Sequence, residues 1–200
     1  MKELLIIAMS LIIGGIPTGF LLGKLMAHTD IRSSGSGNIG TTNAFRTLGR
    51  KIGALTFLGD LLKGFLTVKI GLLLQGNDPL IVAYAVFFVV LGHCYSPFLG
   101  FSGGKGVATI CGIGFALYPL SAVVGLVLFA LVVWKTKYVS AGSMISLSIM
   151  GAAYAIFFPL DLVIKCAFVS AVLVALFRHR SNLKRLMNGT ENQIGVRAHE

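Results

Sequence analysis

Long apolar stretches, separated by short polar or glycine-rich ones, limit this chain more than anything else in it. A helix that crosses a bilayer needs roughly 20 mostly apolar residues at about 1.5 Å of rise each. Such stretches run over Leu4–Met26, Ile52–Leu74, Leu80–Leu99, Val107–Tyr118, Leu120–Trp134, Tyr138–Phe158 and Leu162–Phe177. Only 12% of the residues are charged, against about 25% in soluble domains, and the mean hydropathy is +0.87. A soluble domain of 200 residues cannot hide that much apolar surface. The expected fold is an all-α integral membrane protein, a single domain over 1–200. Its expected architecture is a bundle of seven transmembrane helices with short helices or re-entrant loops on the cytoplasmic side. The first stretch is too long for a secretory signal and lacks an A-x-A cleavage site, so it is read as a span.

The fourth and fifth stretches are short and could join into one helix, which would leave six spans. Charge separates the two cases. With seven spans and the N-terminus outside, the inner segments carry Arg32, Arg46, Arg50, Lys51, Lys105, Lys135 and Lys137. The inner tail adds Arg178, Arg180, Lys184, Arg185 and Arg197, while the outer segments hold little beyond Lys2, Glu3, Asp78, Asp161 and Lys165. That is the positive-inside pattern. Six spans would put Lys105 opposite Lys135 and Lys137, and Pro119 disfavours helix at Tyr118. The topology expected is therefore multi-pass, with the C-terminus and the polar stretches on the cytoplasmic side.

The net charge of +10 fits this inner surface and an anionic substrate or lipid. No nucleic-acid-reading motif accompanies it, so no nucleic-acid partner is expected. Cys94, Cys111 and Cys166 all fall in apolar runs without CxxC or Cys/His spacing. They read as small buried side chains, with neither a metal site nor a disulfide.

Three stretches carry chemistry. The first, RSSGSGNIGTTNAFR from Arg32 to Arg46, is either a slack linker or an anion-binding loop. Glycines let amides converge on an anion, hydroxyls add donors, and arginine binds phosphate bidentately. Ser36, Asn38, Thr42, Asn43 and Arg46 are its candidate ligands, and Thr41 or Thr42 could cap the turn that follows. The second, GHCYSPFLGFSGGKGVAT from Gly92 to Thr109, places SGGKG before an apolar helix. Amides at a helix start plus one lysine suit phosphate, so Gly103, Gly104, Lys105 and Gly106 are candidates. It departs from the nucleotide-binding P-loop, which requires Gly where Leu99 stands and Ser or Thr where Gly106 stands. The third, RHRSNLKRLMNGTE from Arg178 to Glu191, sets His179, Asn182, Leu183 and Leu186 at helical spacing on one inward stripe, with Arg180 and Lys184 pointing elsewhere. Ser143, near the start of the sixth span, could face the same site. Asp60 and Lys63 lie inside the second span, where i, i+3 spacing allows them to pair.

The order and content of these stretches resemble the bacterial acyl-phosphate-dependent glycerol-3-phosphate acyltransferases. GSGNIGTTN is similar to the family's first motif, GHCYSPFLGFSGGKGVAT to its second and RHRSNLKRLMNGTE to its third. GDLLKG at Gly59–Gly64 resembles a further recurrent segment. The resemblance implies acyl transfer from acyl phosphate to the 1-hydroxyl of sn-glycerol 3-phosphate in the bacterial inner membrane, yielding lysophosphatidic acid and phosphate. It implies no metal, cofactor or acyl-CoA, and a monomer is expected. It implies catalytic roles for Ser36, Thr42 and Arg46, a phosphate loop at 103–106, and catalytic His179 and Asn182, with Glu191 holding structure. The expected mechanism is direct attack without an acyl-enzyme, the proton going to the substrate's phosphate or to His179. The alternative reading is a transporter or channel for phosphate or organic anions, supported by Asp60 and Lys63.

Overall fold

The structure, a computed structural model, describes residues 1–194; Arg197, counted above on the inner side, lies outside the described residues. Among the described residues there are ten α-helices and no strand. They are α1 (Lys2–Gly15), α2 (Thr18–Ala27), α3 (Thr41–Thr47), α4 (Gly49–Leu74), α5 (Pro79–Cys94), α6 (Val107–Leu117), α7 (Pro119–Thr136), α8 (Val139–Ile156), α9 (Leu162–Arg178) and α10 (Arg180–Met187).

The first apolar stretch is not the continuous helix expected from its composition. It breaks at Ile16–Pro17, between α1 and α2, because proline has no N–H and its ring clashes with the preceding turn. The freed carbonyls of Gly15 and Ile16 are met by distant side chains. Ser96 Oγ donates to Gly15 O at 2.6 Å, and Lys63 Nζ donates to Ile16 O at 2.9 Å. A break inside an apolar bundle persists only where the protein itself satisfies the backbone in this way.

The fourth and fifth stretches are two helices, not one. Tyr118 is extended (φ −144°, ψ 94°) and Pro119 opens α7, where its missing N–H does no harm. α6 has 11 residues and α7 has 18, so at 1.5 Å per residue α6 is roughly 10 Å the shorter. Length and apolarity single out four helical stretches able to cross a membrane: Lys2–Ala27, Pro79–Leu99, Pro119–Thr136 and Val139–Ile156. A fifth is gained if α9 and α10, bent by 50°, act together. α4 is long enough, with 26 residues, but carries the buried charges Asp60 and Lys63.

Small residues let the helices cross closely, as helices must where lipid offers no hydrophobic drive between them. A Cβ on Gly64 of α4 would strike Thr109 O of α6, and one on Gly112 of α6 would strike Leu61 O of α4. Gly14 of α1 meets Val89 O of α5 in the same manner. The core behind these crossings holds Val68, Val86, Ile110, Leu147 and Phe168. Tyr154 stacks on Phe168 at 3.8 Å and pairs its hydroxyl with Ser121 Oγ at 2.7 Å. The opposite surface, including Leu120, Leu131 and Trp134 of α7, is exposed and apolar, as a lipid-facing surface must be.

Gly64→Val is expected to cost about 2–3 kcal/mol through overpacking of the α4–α6 crossing. Leu131→Ala on the exposed face is expected to cost under about 0.5 kcal/mol. Thermal unfolding of the purified protein in detergent checks both; equal losses would contradict the crossing.

Candidate active site

The loop before α3 is ordered around one asparagine. Asn43 is buried, its Nδ2 donates to the carbonyls of Ile31 (3.1 Å), Ser34 (3.1 Å) and Asn38 (2.9 Å), and its Oδ1 accepts from Ser36 N (2.9 Å). These bonds engage both ends of the amide, so Asn43 organises the loop. Asn38 Oδ1 accepts from Gly40 N at 2.9 Å, tightening the turn into α3. Neither threonine caps α3: Gly40 stands at the cap, Thr41 Oγ1 is buried without a partner, and Thr42 is exposed. Arg32 is likewise committed. Its guanidinium is paired with Asp30 at 2.7 Å and lies over Phe20, and its hydrogen bonds hold the Asp30 carboxyl down at about 2. Arg46 is exposed on α3.

The glycines of the second stretch serve packing as much as anion binding. Gly103 and Gly104 are buried, and a Cβ on Gly104 would run into the His93 imidazole. Gly104 N–H donates to His93 O at 3.0 Å, so that amide is engaged within the protein. The carbonyls of both glycines are held from the far side by Arg178, Nη2 to Gly103 O at 2.8 Å and Nε to Gly104 O at 3.1 Å. The same guanidinium lies 5.1 Å from the Tyr95 ring centroid. Gly106, at φ +84°, adopts a left-handed conformation that only glycine takes without strain, and α6 starts directly after it. The amides of that first turn have no partner inside the helix.

From this loop Lys105 reaches across the bundle. Its Nζ donates to Asn182 Oδ1 at 2.6 Å, Asn182 Nδ2 donates to Glu191 Oε1 at 2.7 Å, and Arg185 Nε meets Glu191 Oε2 at 2.7 Å. Burial holds Lys105 down at about 8, the nearby Arg185, Arg178 and Arg46 adding to the effect and Glu191 opposing it. Burial works against charge on Glu191 too, yet the bonds from Asn182 and Arg185 keep its carboxyl below the ordinary range. His179 is buried at the bend between α9 and α10, its Nδ1 2.8 Å from Ala175 O. A carbonyl only accepts, so Nδ1 carries the proton and Nε2 keeps its lone pair.

The expected inward stripe on α10 is half inverted. His179 and Asn182 are buried as expected, but Leu183 is 51% exposed. Asn182 turns in because its partners lie there, Lys105 Nζ and Glu191 Oε1, as a buried polar group requires. Arg180, expected to point away, instead lines the cavity at this end of the bundle. That cavity measures about 190 Å³ and is lined by Ser36, Asn38, Lys105, Arg178, Arg180, Ser181 and Arg185. Of the expected residues, Ser36, Asn38 and Lys105 line it, and Asn182 is tied to it through Lys105; His179 is outside the lining and bonds Ala175 O. Arg46, Thr42, Gly103, Gly104, Gly106 and Ser143 are not in its lining, and Ser143 Oγ bonds back to Val139 O at 2.9 Å. Arg178, Ser181 and Arg185 were the residues missed. Their i, i+3, i+7 spacing was the available signal.

One lysine and three arginines thus face a small space that has no carboxylate in its lining among the described residues, which suits multiply charged anions. Among the described residues no three His, Cys, Asp or Glu side chains converge.

Residues 4–189 match the family model described as glycerol-3-phosphate acyltransferase. The glycerol-3-phosphate acyltransferase of Geobacter sulfurreducens is 44% identical over 96% of this chain and 98% of its own length. That of Clostridioides difficile is 42% identical, over 96% and 95%. The crystal structure of PlsY, an integral membrane glycerol 3-phosphate acyltransferase, superposes in its glycerol 3-phosphate form with a TM-score of 0.90 at 31% identity, covering 98% of this chain and 96% of that one. Its lysophosphatidic acid form gives 0.88 at 30% identity.

Lys105 is expected to be half-deprotonated near pH 8 in the ligand-free protein. It is charged below that value, so anion affinity at the cavity falls as pH rises through it. Competitive amine labelling against pH, read by mass spectrometry, checks this; a midpoint at the ordinary lysine value of about 10.4 would contradict it.

Proposed function

The chain belongs to the glycerol-3-phosphate acyltransferase family, and on that premise we propose that it transfers a fatty acyl group from acyl phosphate to the 1-hydroxyl of sn-glycerol 3-phosphate. The products are lysophosphatidic acid and inorganic phosphate. The observation that carries the reading is the cavity where Lys105, Arg178, Arg180 and Arg185 meet Ser36 and Asn38. The two substrates each bring a phosphate, and the cavity offers several cations at one place.

The chemistry follows from that charge. The hydroxyl oxygen attacks the acyl carbonyl carbon, the bond from that carbon to the phosphate oxygen breaks, and the hydroxyl proton passes to the departing phosphate. Acyl phosphate is already activated, so the protein supplies positioning and charge stabilisation, which suffice for such transfers. Lys105 carries most of this, oriented by Asn182 and, through it, by Glu191. Ser36 contributes a hydroxyl at the cavity wall, and Arg46, exposed on α3 outside the lining, adds positive charge to the surroundings of Lys105. His179 holds its Nδ1 proton on Ala175 O and, among the described residues, has no carboxylate bonded to its ring to make it a strong base, which supports the substrate phosphate as proton acceptor. Family membership favours this enzyme over an anion transporter.

In the membrane, seven crossings with the N-terminus outside and the cavity in the cytoplasmic leaflet fit the arginines and lysines gathered at the cavity end. α4 then crosses because Asp60 and Lys63 neutralise one another, Nζ to Oδ1 at 2.9 Å. The site would meet cytoplasmic glycerol 3-phosphate while the acyl chain stays in lipid, without acyl-CoA and without a second subunit.

Phosphate release from palmitoyl phosphate is expected to depend on glycerol 3-phosphate and to fall by about 10²–10³ in Lys105→Ala, the usual loss for one charge-stabilising donor. Palmitoyl-CoA is expected not to replace the donor. Retained activity in Lys105→Ala, or an acyl group trapped on Ser36, would overturn the mechanism.

A further inference from the structure

Behind the glycine loop lies a second polar cluster, which has no place in the cavity. Asp60 and Lys63 of α4 and His93 of α5 are all buried, between 2% and 6% exposed. Lys63 Nζ meets Asp60 Oδ1 at 2.9 Å, and His93 Nδ1 stands 3.6 Å from the same oxygen, with no hydrogen-bond partner among the described residues. A buried ion pair is costly to desolvate, and an apolar pair of similar volume would stabilise a bundle as well or better. Stability alone is a poor reason for these residues.

Each end of the cluster is fixed to irregular backbone. Lys63 holds the Ile16 carbonyl at the break between α1 and α2. His93 presses its ring on Gly104, where a Cβ would collide with Nε2, and its own carbonyl takes the Gly104 N–H. Gly104 precedes Lys105, whose Nζ must arrive at Asn182. A shift of the imidazole therefore moves the loop, and with it the ammonium that faces the cavity. Arg178 grips the same glycine carbonyls from α9, so the loop is clamped between a guanidinium on one side and the imidazole on the other.

We propose that Asp60, Lys63 and His93 are positioning residues that seat the glycine loop from behind and so determine phosphate affinity without touching substrate. This rests on the reading of that loop as phosphate-binding. Asp60 orients the imidazole, Lys63 balances the carboxylate and ties it to the α1–α2 break, and the glycine at 104 lets the ring approach. The GDLLKG segment and the GHC segment, far apart in sequence, thereby act on one loop.

The test uses the full-length enzyme with palmitoyl phosphate, measuring KM for glycerol 3-phosphate, kcat, inhibition by inorganic phosphate, and thermal unfolding. His93→Phe keeps the ring against Gly104 and removes its polar edge; Asp60→Asn removes the charge that orients it. Both are expected to raise KM and the phosphate inhibition constant together by about tenfold, with kcat changed less than about threefold, the pattern of lost binding shared by ground and transition states. His93→Asn, which places an amide near the Nδ1 position, is expected to recover part of the affinity. Where His93→Phe fails to fold, Asp60→Asn and His93→Asn are judged on the same values. Lowered melting temperature with KM and phosphate inhibition unchanged would make the cluster merely structural and overturn the proposal. So would a fall in kcat alone. Lys105→Ala in the same assay separates the two claims. If it leaves phosphate inhibition unchanged, the loop's reading falls; if it abolishes inhibition while the cluster variants do not weaken it, only the cluster's role falls.

Discussion

Backbone that leaves regular helix inside an apolar bundle has no water to turn to, and this chain leaves regular helix twice where it matters. One place is the break at Ile16–Pro17, the other the glycine loop between α5 and α6. Long cationic side chains resolve both, Lys63 reaching Ile16 O and Arg178 reaching Gly103 O and Gly104 O. The functional end of the molecule depends on these two contacts. Arginine suits the second task because its planar fork carries donors for two acceptors at once, while still presenting charge to the cavity beside it.

The cavity is consequently built by cross-ties between distant segments more than by any one motif. Asn43 folds the first loop so that Ser36 and Asn38 face inward. The chain from Lys105 through Asn182 to Glu191 and Arg185 binds the second stretch to the third. Hydrogen bonds linked in this way hold the side chains in one geometry, with the Lys105 ammonium fixed at the cavity wall.

Much of this was legible in the sequence, and the failures have physical causes. Hydropathy located the helices, and Pro119 marked the corner between α6 and α7. Pro17 offered the same kind of signal inside the first stretch, but a run of apolar residues outweighed it. The three polar stretches did come to one end of the bundle. Within them, residue type misled where polarity reverses its meaning. An apolar stripe usually faces in, yet on α10 Leu183 faces out while Asn182 is buried among its partners. Arg180 was expected to point elsewhere, and Arg178 and Arg185 were not singled out, because the stripe was drawn through His179 and Asn182 alone; the structure puts all three arginines in the cavity lining. Nothing local shows that Asn43 would be consumed by three carbonyls and an amide, since those partners come from residues as far back as Ile31.

The double duty of Arg178 has one more effect. Its Nε and Nη2 hold the carbonyls of Gly104 and Gly103 while the same side chain lines the cavity. An anion bound beside that guanidinium stabilises whichever loop position leaves it in place, by mass action. Occupancy of the cavity and order of the glycine loop are thus linked through one planar group.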